Sequence, residues 1–78
     1  MIQWHNQALK QMAKLSETRR EQIKEAVNGL PFSGDIRKLQ GQKYSYRLRI
    51  GGYRIIYRLT DGNVHIDQVL PRGSAYKN

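Results

Sequence analysis

Between Tyr44 and Leu59 the sequence alternates with a period of two, and a Gly51-Gly52 pair divides the alternating stretch. Tyr44, Tyr46, Leu48 and Ile50 alternate with Ser45, Arg47 and Arg49; after the glycines, Tyr53, Ile55, Tyr57 and Leu59 alternate with Arg54, Ile56 and Arg58. A period of two marks strands, because successive side chains leave a strand on opposite faces. A Gly-Gly pair accepts the positive φ angles that a two-residue hairpin loop demands. The pairing follows from that loop length. Ile50 is predicted to face Tyr53, Arg49 to face Arg54, Leu48 to face Ile55, Arg47 to face Ile56 and Tyr46 to face Tyr57. The tyrosines, leucines and Ile50 and Ile55 then share one face, which can cover a pair of helices. Ser45, Arg47, Arg49, Arg54, Ile56 and Arg58 share the other.

A second hairpin signal, Asp61-Gly62, leads into a third strand over roughly Asn63 to Leu70, and Pro71 stops it. The same register logic puts His65 opposite Arg58, Asp67 opposite Ile56 and Leu70 beside Tyr53. Asp67 is then expected to neutralise Arg47. The tail is expected to leave near Arg49 and Arg54, within reach of Arg72 and Tyr76.

Upstream of these strands the period is helical. Ile2 and Trp4 suffice for a very short edge strand, and Asn6 is a candidate cap for a helix carrying Ala8, Leu9, Met12 and Leu15 on one stripe. Ser16 interrupts it. Thr18 with Glu21 suggests a capping box for a second helix, whose apolar stripe is Ile23, Ala26, Val27 and Leu30. Gly29 and Pro31 end that helix, and residues Pro31 to Gln42 are expected to form a loop. The predicted fold is α+β in the order β-α-α-β-β-β, two N-terminal helices packed on a small antiparallel sheet. At 78 residues the whole chain, 1–78, is expected to be a single domain.

Fourteen Lys and Arg against six Asp and Glu give a net charge of +8. At this size such an excess implies a polyanionic partner, nucleic acid or an acidic protein. The excess also has a location, since no Asp or Glu falls between Asp35 and Asp61. Arg49 directly opposite Arg54, with Arg47 and Arg58 close by, places like charges across strands, which destabilises a sheet unless an anion sits among them. Any one of these arginines is explained well enough as an exposed, solubilising residue on a sheet face. Four on one face, with Arg72 in the tail, fit a phosphate-binding surface better, because guanidinium forks bind phosphate at two points and stay charged at all physiological pH. Lys43 and His65 lie on or beside the same surface, and His65 is the one candidate there for proton transfer near neutral pH. His5 is assigned no role, and Asp35 and Asp67 are too far apart in the pattern to make a carboxylate pair. There is no P-loop, metal-ligand cluster or nucleophile motif, so no cofactor or metal is expected. The chain has no cysteine, no signal-peptide pattern and no apolar run long enough for a membrane span, and a soluble cytoplasmic protein with no membrane partner is expected.

The stretch Tyr44-Ser45-Tyr46-Arg47-Leu48-Arg49-Ile50-Gly51-Gly52-Tyr53-Arg54-Ile55-Ile56-Tyr57 resembles the central hairpin of the RelE/ParE toxin superfamily. Lys38-Leu39-Gln40-Gly41 is similar to its Lys-Leu-x-Gly lead-in, and Arg72-Gly73-Ser74-Ala75-Tyr76-Lys77 to its closing segment. The resemblance covers nearly the whole chain. It implies a RelE-like fold and a toxin of a type II toxin–antitoxin system, held in check by an acidic antitoxin protein. RelE-like members cut messenger RNA in the ribosomal A site, the ribose 2′-hydroxyl attacking the adjacent phosphate. By position, the resemblance gives Arg54 the scissile phosphate, Arg72 the transition state or leaving group, and Tyr76 the orientation of the substrate. Arg47 stands where the pattern has a catalytic lysine, and Ser45 where it has a second. Arginine is a poor proton acceptor, so Arg47 would stabilise charge and Tyr76 or His65 would carry the proton. The resemblance leaves two other outcomes open: a ParE-like toxin that inhibits DNA gyrase without cleaving RNA, and a non-toxic nucleic-acid-binding module. Operator DNA would be bound only through the antitoxin.

Overall fold

A computed structural model describes residues 1–41 and 45–71. Its elements are β1 (Ile2–Trp4), α1 (Asn6–Ala13), α2 (Glu17–Asn28), β2 (Asp35–Lys38), β3 (Ser45–Ile50), β4 (Tyr53–Thr60) and β5 (Asn63–Pro71). The strands form one sheet in the order β1-β5-β4-β3-β2. β1 runs parallel to β5, and every other neighbouring pair is antiparallel.

The central hairpin has the register that its loop length dictates. Tyr46 to Ile50 face Tyr57 to Tyr53 pair by pair as expected. Leu48, Ile55 and Tyr57 turn toward the helices and are buried with Val64, Ile66 and Val69 from β5. From the helices, Ala8, Met12, Ile23 and Val27 complete the core, with Leu30 just beyond α2. Burying a side chain of this size stabilises by roughly 1.5–3 kcal/mol. Leu9, expected on the core stripe of α1, is instead 50% exposed. Ala8 and Met12, four residues apart, point at the sheet, and Leu9 falls on the margin of that stripe.

Four local expectations need correction. First, the segment expected to be all loop contains β2, which pairs with the open edge of β3. Its sequence, Asp-Ile-Arg-Lys, offers only Ile36 as an apolar residue, opposite Leu48. One apolar position cannot establish a period, so this strand exists because β3 presents an unpaired edge. Second, the N-cap position of α1 is His5 rather than Asn6, with no side-chain capping hydrogen bond; His5 N–H is bonded to the Ile66 carbonyl at 3.0 Å, which continues the pairing of β1 to that residue. Third, Ser16 and not Thr18 caps α2, its hydroxyl accepting from Arg19 N–H at 3.2 Å. Fourth, the β4–β5 register shifts between Ile56 and Tyr57. Tyr57 faces Ile66 but Ile56 faces Gln68, so Asp67 is an extra residue in β5. Leu70 therefore pairs with Arg54, and Tyr53 with Pro71. The cause is legible in the apolar spacing of β5. Val64 and Ile66 are two apart, but Val69 is three further on, and only a bulge returns it to the core face.

Candidate nucleic-acid interface

The face of the sheet turned away from the helices carries Asp35 and Arg37 on β2, Ser45, Arg47 and Arg49 on β3, and Arg54, Ile56 and Arg58 on β4. Register fixes this set, since residues directly opposite across strands share a face. Arg49 faces Arg54 on one side and Asp35 on the other; Arg47 faces Ile56 and Arg37.

Burial divides the arginines. Arg47 and Arg54 are 6% and 5% exposed, and Ser45 beside them 5%, values typical of core residues. Arg37 and Arg49 are exposed. A buried guanidinium is costly without anionic or polar partners. For Arg47 the partner is Asp35, whose Oδ1 lies 3.7 Å from Nη2. Asp67, expected to serve Arg47, is instead the partner of Arg58. Arg58 Nε donates to Asp67 Oδ2 at 2.6 Å and Nη2 to Oδ1 at 3.0 Å. The bulge that adds Asp67 to β5 is what turns its carboxylate toward Arg58. These hydrogen bonds, more than any bare charge effect, hold the Arg58 guanidinium above its ordinary pKa range.

His65 faces Arg58 as expected, and its ring is bound on both sides. Its Nδ1 lies 3.0 Å from His5 Nε2, and its Nε2 2.8 Å from Thr60 Oγ1. His5 carried no sequence signal for this contact, because only the parallel pairing of β1 with β5 brings residues sixty positions apart together. On the core side, Tyr46 stacks on Tyr57 with centroids 5.5 Å apart, and Arg19 lies over the Tyr53 ring at 5.8 Å. Burial, then the neighbouring Tyr46, pushes the Tyr57 hydroxyl up to about 12. That hydroxyl has no hydrogen-bond partner among the described residues.

Of the residues singled out from the sequence, the structure thus brings Arg47, Arg49, Arg54 and Arg58 onto one face and ties His65 to its edge. Lys43, Arg72 and Tyr76 lie outside the described residues. Among the described residues no three histidines or carboxylates stand together to hold a metal ion, and no helix is long and apolar enough to cross a membrane. The arginine face can bind phosphate and stabilise negative charge as it develops. It cannot accept a proton through arginine, whose pKa is too high.

The family model described as ParE toxin of type II toxin-antitoxin system, parDE, matches residues 2–76. Among solved structures, the RelB-RelE antitoxin-toxin complex of Methanococcus jannaschii is similar with a TM-score of 0.81 at 25% identity, covering 95% of this chain and 94% of that one. The intact RelBE toxin-antitoxin complex of E. coli is similar at 0.78 and 30% identity, covering 91% and 94%. A free mutant of E. coli toxin RelE is similar at 0.74 and 32% identity, covering 97% and 85%. No curated protein matches at the level of sequence.

Proposed function

Because the chain belongs to the ParE toxin family of type II toxin–antitoxin systems, we propose that it is a toxin of the RNA-cleaving kind, a ribosome-dependent endoribonuclease of messenger RNA. The observation that carries this proposal is the convergence of Arg47, Arg49 and Arg54 on one sheet face, two of them buried as deeply as the core. Burying two cations is costly, and a site that receives phosphate gives that cost a purpose. The 30% and 32% identity to E. coli RelE adds support.

In this mechanism the ribose 2′-hydroxyl attacks the adjacent phosphorus, the bond to the 5′-oxygen breaks, and a cyclic phosphate and a free 5′-hydroxyl result. Arg54 holds the scissile phosphate, and Arg47 stabilises the charge of the pentavalent state. Arg72 assists the leaving oxygen, and Tyr76 orients the substrate. Arg49, Arg58, Lys43 and His65 line the path of the RNA backbone. Electrostatic stabilisation of this kind supplies much of the rate when donors are preorganised in a site shielded from water. The 2′-hydroxyl proton passes to Tyr76 or His65, and a proton is returned to the leaving 5′-oxygen to give the free hydroxyl, since arginine takes none.

The toxin's partner is an acidic antitoxin protein. The M. jannaschii and E. coli complexes pair such a toxin with an antitoxin, and the net charge of +8 favours an acidic, flexible chain that folds as it binds. Cleavage would take place in the cytoplasm, in the ribosomal A site, and operator DNA would be reached only through the antitoxin.

One observation favours a second function, binding and inhibition of DNA gyrase. The matching family model is that of ParE, and Arg47 and Ser45 occupy the positions of lysines in the RelE-like pattern. The deciding experiment is to induce the wild-type chain and an Arg54→Ala, Arg72→Ala double variant in cells and map messenger RNA 5′ ends by primer extension. New 5′ ends within translated frames, absent with the variant, are expected. Growth arrest without new ends would sink the nuclease and turn attention to gyrase. Neither arrest nor cleavage from a folded protein would favour a plain nucleic-acid-binding module.

A further inference from the structure

Among the described residues, two carboxylates meet the arginine face, and they do so in different ways. Asp67 grips Arg58 with two hydrogen bonds, at 2.6 and 3.0 Å. Asp35 approaches Arg47 at one point only, 3.7 Å away, outside hydrogen-bond range. The exposures are just as unequal. The Arg47 side chain is 7% exposed and that of Asp35 55%. Asp67 and Arg58 form a lock. Asp35 stands in water at the mouth of a buried guanidinium whose donors have no hydrogen-bond partner among the described residues.

From this contrast we infer that Asp35 is a built-in counter-ion, occupying Arg47 until a phosphate group displaces it, and so sets how tightly the face binds polyanions. The inference rests on the assignment of this face as the phosphate site and adds a residue that opposes binding there. Its physical basis is the charge balance of the arginine face. Arg49 and Arg54 stand directly opposite each other, with Arg47 next to them. Like charges so placed repel, and the buried Arg47 cation is costly unless an anion stands near it. Between Asp35 and Asp61 the sequence has no Asp or Glu, so Asp35 is the negative charge that β2 can deliver there. A phosphate oxygen forms a charge-assisted bond to a guanidinium at about 2.7–2.9 Å and often binds at two points. It therefore displaces a solvated carboxylate held at 3.7 Å.

The backbone places Asp35 deliberately. Gly34 has φ +116, and a Cβ there would lie 2.5 Å from Leu48 Cδ1. The positive φ favours glycine at this turn, and Asp35 is the first residue of β2 after it.

The test uses the full-length chain and a fluorescent single-stranded oligouridylate, with affinity measured across a range of salt. Asp35→Asn removes the competing charge, and Glu21→Gln removes the same charge from the exposed surface of α2, on the other side of the sheet. Asp35→Asn is expected to tighten binding about fivefold beyond Glu21→Gln, the scale of one exposed ion pair. Its plot of log affinity against log salt should steepen by about 0.7, one further phosphate neutralised on a single strand. Asp35→Glu should restore wild-type affinity and slope. Affinity unchanged or weakened in a folded Asp35→Asn protein would overturn the inference. Should that variant fail to fold, inorganic phosphate titrated into the wild type gives the answer through the arginine Nε–H resonances. Arg47 is expected to shift while Arg58, held by Asp67, stays; an unmoved Arg47 would overturn it. Binding is read without cleavage, so the two proposals fail separately. Tightening in a chain that cuts no RNA in cells upholds the role of Asp35 and sinks the nuclease; cleavage in cells with no change on Asp35→Asn does the reverse.

Discussion

Arg58 and Asp67 join β4 to β5 through a two-point fork, Nε to Oδ2 at 2.6 Å and Nη2 to Oδ1 at 3.0 Å, and the fork exists because Asp67 is the residue that β5 inserts at its bulge. The pair holds the irregular point of the sheet. Arg58 is 40% exposed and Asp67 27%, so solvent screens the attraction. Asp67→Ala is expected to cost about 1 kcal/mol or less, measured as a shift in the urea midpoint with an unchanged slope. A cost well above that would mean the bulge itself collapses without the fork.

Tyr57 carries a hydroxyl that is buried, has no hydrogen-bond partner among the described residues, and is pushed up to about 12. Its folded-state pKa is raised above the unfolded value near 10, so the folded state binds its proton more tightly. Stability from this group is therefore intact below about pH 10 and is lost as pH rises toward 12, by roughly 2 kcal/mol at the upper end. Tyr57→Phe should remove that alkaline limb while leaving neutral-pH stability equal or slightly higher, because no hydrogen bond is lost. Parallel denaturation curves of the two proteins at pH 8 and pH 11.5 would decide it; identical alkaline loss in both would mean another group titrates.

Gly34 sits at φ +116, a region that L side chains rarely adopt, with Leu48 Cδ1 where a Cβ would go. Gly34→Ala is expected to destabilise the fold by about 1–3 kcal/mol. Thermal melts should register it as a lower Tm. Because the same residue leads into β2, the backbone amides of β2 should exchange with deuterium faster in the variant than those of β4.

His5 and His65 are linked ring to ring at 3.0 Å, and Thr60 completes the chain at 2.8 Å. This contact ties β1 to β5 and β5 to β4. His5→Ala and His65→Ala are each expected to destabilise, and their effects should not add. A double-mutant cycle should return a coupling of about 0.5–1 kcal/mol, as residues in direct contact do. Strict additivity would show that the ring pair carries no stability.

The central hairpin and the positive charge of its outer face were legible in the residues alone. The period of two, broken by Gly51-Gly52, allows one register that buries Leu48, Ile55 and Tyr57, and that register necessarily aligns Arg49 with Arg54. Helix positions were legible from the apolar stripes, although the capping residues were not, because local hydrogen-bonding partners depend on where the preceding strand ends. Even the bulge had its trace in the three-residue step from Ile66 to Val69. Which acid serves which arginine, that β2 is a strand, and that His5 meets His65 emerge only in the folded chain. These depend on contacts between distant segments. β2 forms because β3 offers an open edge, Asp35 reaches Arg47 because β2 forms, and Asp67 turns to Arg58 because the core pulls Val69 inward. Periodicity records which face a residue takes; the partner it finds there is set by strands that the chain brings together from far along its length.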